Sequence, residues 1–461
     1  MRVRLISFAM SVMVAFAAMG IDIDSRAGHL SGLLTDLDVT ELRLSGTVNA
    51  QDMEFIAGNL PLLKTLDLGK CRIEADSERL QNPANTIPAG MFAGSAIESV
   101  VFPTDGPIYI EAGAFASTKL KSVTIACGDI RIGTGAFADC KELTEINISG
   151  PAVVGDYAFR GCRGLTAADL SGVTAIGDKA FGTCPSLTNV TFGSRLASIG
   201  FSAFEGCALA KANLAATKLT AVGDRAFARN TRLSETALPS SVGRLGKGAF
   251  ADCTGLRSFI LPSSCDRVPM ALLKDSGVRE LGLSDAVELG AYSLKGCSEL
   301  QKVVLPPTLS HIADNAMEGM TALWVVNAAD LRAVPELGEN VWAGVEQSNV
   351  TLLTSGAMVE EFREAVQWQE FNILDEAESS LGASPEVATV RGRIAGGELQ
   401  IESTGANITE VEIYNVAGVK TGGIKCDTPI CRLSLQDMET GILIIRVTLA
   451  DASKAILKLA R

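Results

Sequence analysis

Between residues 86 and 345 the apolar and polar positions repeat one phrase twelve times. Its clearest copies read Gly-x-x-Ala-Phe-x-x-Cys-x-x-Leu-x-x-apolar-x-apolar, at residues 133–148, 155–170 and 177–192. The anchor position is Phe92, Phe115, Phe137, Phe159, Phe181, Phe204, Phe227, Phe250, Leu273, Leu294, Met317 and Trp342, one every 21 to 25 residues. A unit of that length cannot bury its own apolar side, so neighbouring units must stack and share one continuous core. Within a unit, Leu143, Ile146 and Ile148, or Leu187, Val190 and Phe192, give the period-two alternation of a short strand. The Gly-x-x-Ala-Phe part predicts a turn followed by a brief helical segment with the Phe inward. Strands of successive units pairing in parallel at about 4.8 Å make twelve units span on the order of 55 Å.

The flanks differ from the repeat. Residues 39–44 alternate as a strand, residues 49–59 carry helical spacing at Met53, Ile56 and Ala57, and residues 63–73 predict another strand. Residues 20–85 are therefore expected to cap the array at its N-terminal end, with Asp67 outward between Leu66 and Leu68 and given no chemical role. Residues 375–387 lose the period and collect charge, Ser, Gly and Pro, which marks a linker, set at 377–387. Beyond it, apolar alternation over residues 411–416, 433–435, 442–449 and 455–459, with turns expected at Gly418, Gly422-Gly423 and Gly441, predicts a small β-sandwich over 388–461.

The repeat with its Ala-Phe-x-x-Cys core resembles the BspA-like leucine-rich repeats of bacterial surface proteins. The resemblance implies an α/β leucine-rich repeat solenoid, its parallel strands stacked in an elongated right-handed array, followed here by the all-β domain. Residues 350–373, with Phe362 and the Trp368-x-x-Phe371 pair, look like that family's terminal unit and place a C-terminal cap at 346–376. The tail resembles the C-terminal sorting domain of proteins exported by the type IX secretion system, through Ile413-Tyr-Asn-Val-Ala-Gly418, Leu433 to Gly441, Ile442 to Thr448 and the closing Lys458-Leu-Ala-Arg461. It departs from that pattern at Ile442-Leu-Ile, where an aromatic is usual, and in its Cys pair. Similarity to BspA-like proteins implies adhesion to host matrix proteins or to other cells.

Arg2 and Arg4 precede an apolar run over residues 5–19 that ends in small residues, the pattern of a secretory signal over 1–19. The first cysteine is Cys71, so no lipid-modified cysteine follows it, and no later stretch reaches about 18 consecutive apolar residues, so no transmembrane helix is expected. A net charge of −13 argues against nucleic acid and anionic membrane surfaces as partners.

Of eleven cysteines, Cys140, Cys162, Cys184, Cys207, Cys253 and Cys297 occupy one repeat position, three residues after the anchor. Stacking turns that position into a structural ladder of small buried thiols. Asn230, Ser276, Ser95 and Thr118 stand there in other units, which suits a packing site better than a ligand set. Cys426 and Cys431 either close a small loop as a disulfide or remain two thiols on a strand and its turn.

Catalytic material is scarce. The two histidines, His29 and His311, supply neither a triad nor a multi-His metal site, and no cofactor is expected. Gly133-Thr-Gly135 and Gly246-Lys-Gly248 lie in the repeat turn without the full phosphate-loop pattern. The Asn-x-Ser/Thr triplets at Asn147, Asn189, Asn349 and Asn407 are taken as chance matches. The candidate binding surface is the outward strand face: Ser122, Thr124, Glu145, Asn147, Ala167, Asp169, Asn189, Thr191, Lys211, Asn213, Glu235 and Ser258, polar and mixed in charge. The expected function is protein–protein recognition by a secreted or surface protein, with a structural spacer as the alternative and a surface hydrolase as a remote one.

Overall fold

A computed structural model of the chain describes residues 20–76, 82–375, 390–395, 398–404, 406–414, 420–436, 442–450 and 454–460. The expected signal, the linker and the turns at Gly418 and Gly441 lie outside these residues. Two compact units are present, one taking in residues up to Thr351 together with Ala365–Asn372, the other Leu352–Glu364 and residues from Ile373 onward.

The first unit is a solenoid of stacked coils with parallel strands. Each coil places one strand in a first sheet, as in Ser122–Ile125, Glu145–Ile148, Ala167–Leu170 and Asn189–Phe192, paired in parallel without register shifts. The period-two pattern is visible in the burial: Val123, Ile125, Ile146, Ile148, Ala168 and Leu170 point into the core. A second strand per coil was not expected. It is short, as in Ile108–Ile110, Ile130–Ile132 and Ala152–Val154, and these strands build a second parallel sheet.

The segment expected to be a brief helix is instead a turn of unusual backbone. Two residues in every coil adopt positive φ, one two before the anchor and one two after it: Gly135 (62°) and Asp139 (58°) around Phe137, Lys179 (53°) and Thr183 (58°) around Phe181, Ala271 (54°) and Asp275 (56°) around Leu273. This left-handed pair stops helical winding, because a right-handed helix would aim every N–H along its own axis. Here alternate amides go two ways. Ala136 and Ala138 donate back within the turn to Gly133 and Gly135, whereas Gly135, Phe137 and Asp139 donate to Asp156, Ala158 and Arg160 of the next coil at 2.8 Å.

The anchor side chains fill the core beneath these turns. Eight Phe rings, from Phe92 to Phe250, stack with centroids 5.1–5.5 Å apart and interplanar angles of 1–21°. Leu273, Leu294 and Met317 continue the column, all fully buried. Trp342 ends it, edge-on to Phe371 at 4.9 Å and to Trp368 at 5.3 Å, with the Trp368 indole donating to the Pro335 carbonyl.

At the N-terminal end, Gly20–Ser25, Glu41–Val48, Thr65–Ile73 and Ser99–Val101 form one parallel sheet, and Ala50–Asn59 is helical. Asn49 and Asp52 form a capping box at the start of that helix. The Asp52 carboxylate is buried and accepts from the amides of Gly28 and Leu30 as well as Asn49, tying the preceding short helix Leu30–Leu33 to the longer one.

In the second unit, residues from 390 on form two antiparallel sheets: Val390–Ala395, Glu398–Ser403 and Ile430–Ser434 in one, and Lys420–Thr428, Ile408–Tyr414, Ile442–Leu449 and Lys454–Ala460 in the other. Leu399, Ile401, Val411, Ile413, Ile445 and Val447 form their shared core. The expected turn at Gly422-Gly423 is strand: these residues pair with Ile413 and Glu412, and a Cβ on Gly423 would lie 2.7 Å from the Val411 carbonyl. The glycines there serve close backbone approach. Cys426 and Cys431 are joined as a disulfide, which bridges strands of the two different sheets.

Two outcomes test the turn. Phe159→Ala, from the middle of the ring column, is expected to destabilise the solenoid by about 3–5 kcal/mol in urea titration. Ala271→Gly, which relieves a left-handed alanine whose side chain makes no polar contact, is expected to stabilise it by about 1 kcal/mol.

Candidate protein-binding face

The outward positions of the first sheet are brought together by strand register. Ser122, Glu145, Ala167 and Asn189 form one column, and Thr124, Asn147, Asp169 and Thr191 the next. Farther along, Lys211 pairs with Glu235, Asn213 with Ala237, and Ser258 with Glu280. All the candidate residues are exposed except Ala167, Asp169 and Ser258, which are half-buried.

Several of these side chains are occupied locally. The Asp169 carboxylate accepts from the amide of Ser171 at 2.9 Å and the Asn213 carbonyl oxygen from that of Ala215 at 3.4 Å. Asp67 and Asn327, at matching places in other coils, do the same for Gly69 and Ala329. This Asx turn ends the strand, so Asp or Asn recurs there for backbone reasons. Lys211 and Glu235 form an ion pair across adjacent coils at 2.8 Å, and the hydrogen bond to Glu235 raises the Lys211 pKa.

One column was not among the candidates. The residue just before the outward strand positions is Thr144, Thr166, Thr188 or Ser234, and each hydroxyl donates to the carbonyl of the equivalent residue one coil back, at 3.0–3.3 Å. The recurrence of Ser or Thr at that spacing is its sequence signal. Elsewhere this column holds charge: Glu98 bridges Lys64 and Lys121, and these contacts, led by the hydrogen bond from Lys121, hold its carboxyl below the usual range.

Exposed apolar residues on the same sheet were also missed. Ile260 lies between inward Phe259 and Leu261, so hydropathy alone merges it with the core. It is 73% exposed, and Val304 and Trp324 are each 43% exposed in later coils.

The ladder cysteines lie away from this face, buried beneath the turns. Cys140, Cys162, Cys184, Cys207 and Cys253 each donate to the carbonyl of the anchor Phe one coil back at 3.2 Å, and Cys297 does so to Leu273. Asn230 in the same position donates to Phe204 and Phe227 at 2.9 Å and accepts from Leu209. Thr118 donates to its own anchor, Phe115. Burial pushes the Cys184 and Cys253 thiols up to about 12 and Cys297 up to about 11. Between Cys140 and Cys162, the hydrogen bond joining the thiols, and then burial, raises Cys162. Cys162, Cys184, Cys207, Cys253 and Cys297 therefore stay protonated at neutral pH, the opposite of a nucleophile or a ligand, while the hydrogen bond from Cys162 lowers Cys140.

Among the described residues, no group of three or more His, Cys, Asp or Glu is placed to hold a metal ion. His29 is exposed with Nδ1 2.9 Å from the Ala27 carbonyl, and His311 lies in the second-sheet strand His311–Ile312. Gly135 and Gly248 supply positive φ in the turns. No helix among the described residues is long and apolar enough to cross a membrane.

The thiols predict an alkaline transition. A thiol raised from 9.0 to about 12 in the fold stays protonated there while the unfolded chain ionises, so its contribution is complete below pH 9 and disappears as pH rises toward 12. Urea titrations across that window should show the loss, and Cys184→Ala should show a shallower one. At pH 7.5 the six ladder thiols should react with a thiol reagent only after unfolding.

The sequence matches the profile of the BspA type leucine-rich repeat region, which holds six copies of the repeat, over residues 85–209, 152–279 and 272–362. Among solved structures, a leucine-rich repeat protein from Bacteroides ovatus superposes with a TM-score of 0.51 at 17% identity, over 77% of this chain and 92% of that one. A leucine-rich cell surface protein from Faecalibacterium prausnitzii gives a TM-score of 0.33 at 21% identity, over 60% of this chain and 87% of that one. The pneumococcal vaccine antigen PcpA gives 0.35 at 15% identity, over 72% and 79%. The first of these is a likeness of fold. No curated protein matches the sequence. With the matched profile covering more than half of the residues and the stacked coils observed throughout that stretch, the chain belongs to the BspA type leucine-rich repeat family.

Proposed function

We propose that this is a secreted or cell-surface protein that recognises other proteins, host matrix or cell-surface proteins among them, through the outward face of its first sheet, without catalysing a reaction. The observation that carries this reading is the register of that face: coil after coil presents its outward side chains in continuous columns. Such a surface offers many small contacts in fixed order, as protein partners require. In this reading residues 1–19 are a signal peptide, 20–85 and 346–376 cap the 86–345 repeats, and 388–461, after a linker at 377–387, is a sorting or accessory domain. The likeness of its strands to type IX secretion sorting domains supports the last assignment.

One observation favours the spacer alternative. Asp169, Asn213, Lys211 and Glu235 already have partners within the solenoid, as a purely structural face would require.

The test is binding of the full mature chain to immobilised matrix proteins, with Glu145→Arg/Asn189→Arg as the variant. Saturable binding that falls at least tenfold in the variant, with the melting curve unchanged, is expected. Absence of saturable binding to any matrix or bacterial surface protein would replace this reading with the spacer.

A further inference from the structure

On the first sheet, four consecutive coils present Ser258–Ile260, Glu280–Gly282, Lys302–Val304 and Val325–Asn327. The last outward position of each strand forms the column Ile260, Gly282, Val304 and Asn327, with Ile260 opposite Gly282 and Val304 opposite Asn327 in register. By repeat position Gly282 falls between the exposed branched side chains of Ile260 and Val304, which leaves a notch, a place in the column without a side chain.

The backbone does not require glycine there. A Cβ built on Gly282 would meet Ile260 Cγ2 at 3.4 Å, an ordinary contact, and its φ is not in the left-handed region. The contrast is with Gly155, Gly177, Gly200, Gly223, Gly246 and Gly290, where a Cβ would come within 2.2–2.7 Å of the preceding coil. Those glycines exist so that coils can stack; Gly282 does not.

The surroundings of the notch carry charges of both signs. Arg257 and Arg279 both reach the Glu299 carboxylate, at 3.0 and 2.6 Å, and remain 47% and 62% exposed at the side chain. With Lys302 there are three cations against the two carboxylates Glu280 and Glu299, in a chain whose net charge is −13. Trp324, 43% exposed, immediately precedes the strand Val325–Asn327, one coil beyond Lys302. Exposed Trp and Arg beside branched apolar side chains are the composition of a binding hot spot. At about 4.8 Å per coil and 3.3 Å per residue the patch is roughly 15 by 10 Å, the size of an anchor site.

We propose that the notch at Gly282, walled by Ile260 and Val304, receives one apolar side chain of a partner protein, and that Arg257, Arg279 and Lys302 pair with carboxylates flanking that side chain in the partner's sequence. This rests on the protein-recognition reading and names the place and the partner chemistry. Charge complementarity selects an acidic partner segment over a second copy of this chain's patch, whose own excess is positive.

The test uses the full chain and two pools of fluorescent dodecapeptides, each with a central Leu, Phe or Trp, flanked in one pool by Asp and Glu and in the other by Lys. Anisotropy should show saturable binding of the acidic pool, weakening as salt rises, and no binding of the lysine pool. Gly282→Phe, which fills the notch, and Arg257→Ala/Arg279→Ala should each weaken binding at least tenfold, with circular dichroism and melting unchanged. Arg131→Ala, in the second-sheet strand Ile130–Ile132 and off this face, should leave it unaltered. Equal binding of both pools, no saturable binding at millimolar peptide, or binding indifferent to Gly282→Phe would overturn the proposal. In the last case, loss of peptide binding in Glu145→Arg/Asn189→Arg would keep protein recognition on this face and relocate it. Matrix binding lost in Glu145→Arg/Asn189→Arg would likewise preserve recognition where the peptides fail, whereas failure in both experiments would remove both readings.

Discussion

The solenoid depends on how each turn shares out its amides. In a helix all N–H groups are used within one segment; here every second one is handed to the next coil, so that Gly135, Phe137 and Asp139 bind Asp156, Ala158 and Arg160. That division requires a left-handed residue on either side of the anchor, which costs roughly 1–2 kcal/mol wherever the residue is not glycine. Burying the anchor ring against its neighbours, at centroid spacings of 5.1–5.5 Å, returns about 3 kcal/mol or more per coil. The Phe column and the strained turns are therefore one device. Neither is stable without the other, which is why Tyr157, Arg225 and Ala271 are tolerated at positive φ.

The same division explains the cysteines. The anchor's carbonyl lies beneath the turn, where the inter-coil amide ladder does not reach it; in several coils it accepts only a long bond from the amide three residues on, as from Cys162 to Phe159 at 3.3 Å, and a second donor to a buried carbonyl is favourable. A thiol three residues after the next anchor is small enough to be buried beneath the turn and donates at 3.2 Å. Asn230 does the work of two donors where cysteine is replaced. A comparable solution on the second sheet uses carboxylates: Asp156 accepts from the Asp178 amide, and Asp178 from that of Phe201, one coil on in each case. Runs of Cys or Asp that resemble ligand sets in a sequence are, in stacked coils, donors and acceptors for the backbone of neighbouring coils.

Legibility in the sequence followed this physics. The anchor and the first strand were readable because each repeats a hydropathy period, and strand register then followed from the spacing. The second strand was not, since a segment such as Ile130-Arg-Ile132 is too short to show alternation, and it exists only because neighbouring coils pair with it. The turn was taken for a helix because Gly-x-x-Ala-Phe has local helical spacing, whereas its conformation is set by the next coil. In the C-terminal domain Gly422-Gly423 suggested a turn by composition but lies in a strand, where Val411 approaches too closely for a side chain. On the candidate face, outward positions could be located by alternation. Their availability could not, because whether Asp169 caps a turn or Lys211 meets Glu235 depends on residues in other coils or on turn geometry.

A periodic fold also gives a rule for separating structural from functional positions within one chain. Every repeated position is answerable to its copies one coil before and after, so a residue demanded by stacking shows a clash or an unsatisfied group when altered. Gly177 meets that standard, with Asp156 and backbone atoms 2.5–2.7 Å from a built Cβ, as does Cys184, whose thiol serves Phe159. Gly282, Ile260 and Val304 do not: a side chain at Gly282 would fit, and burial gives the other two no reason to be apolar. Exposed branched side chains on a sheet face add no core contacts and incur a solvation cost. Val101, 44% exposed at the matching place of an earlier coil, stands singly, whereas Ile260 and Val304 are grouped beside Arg257 and Arg279, and that grouping is where the solenoid's own requirements run out and a partner's begin.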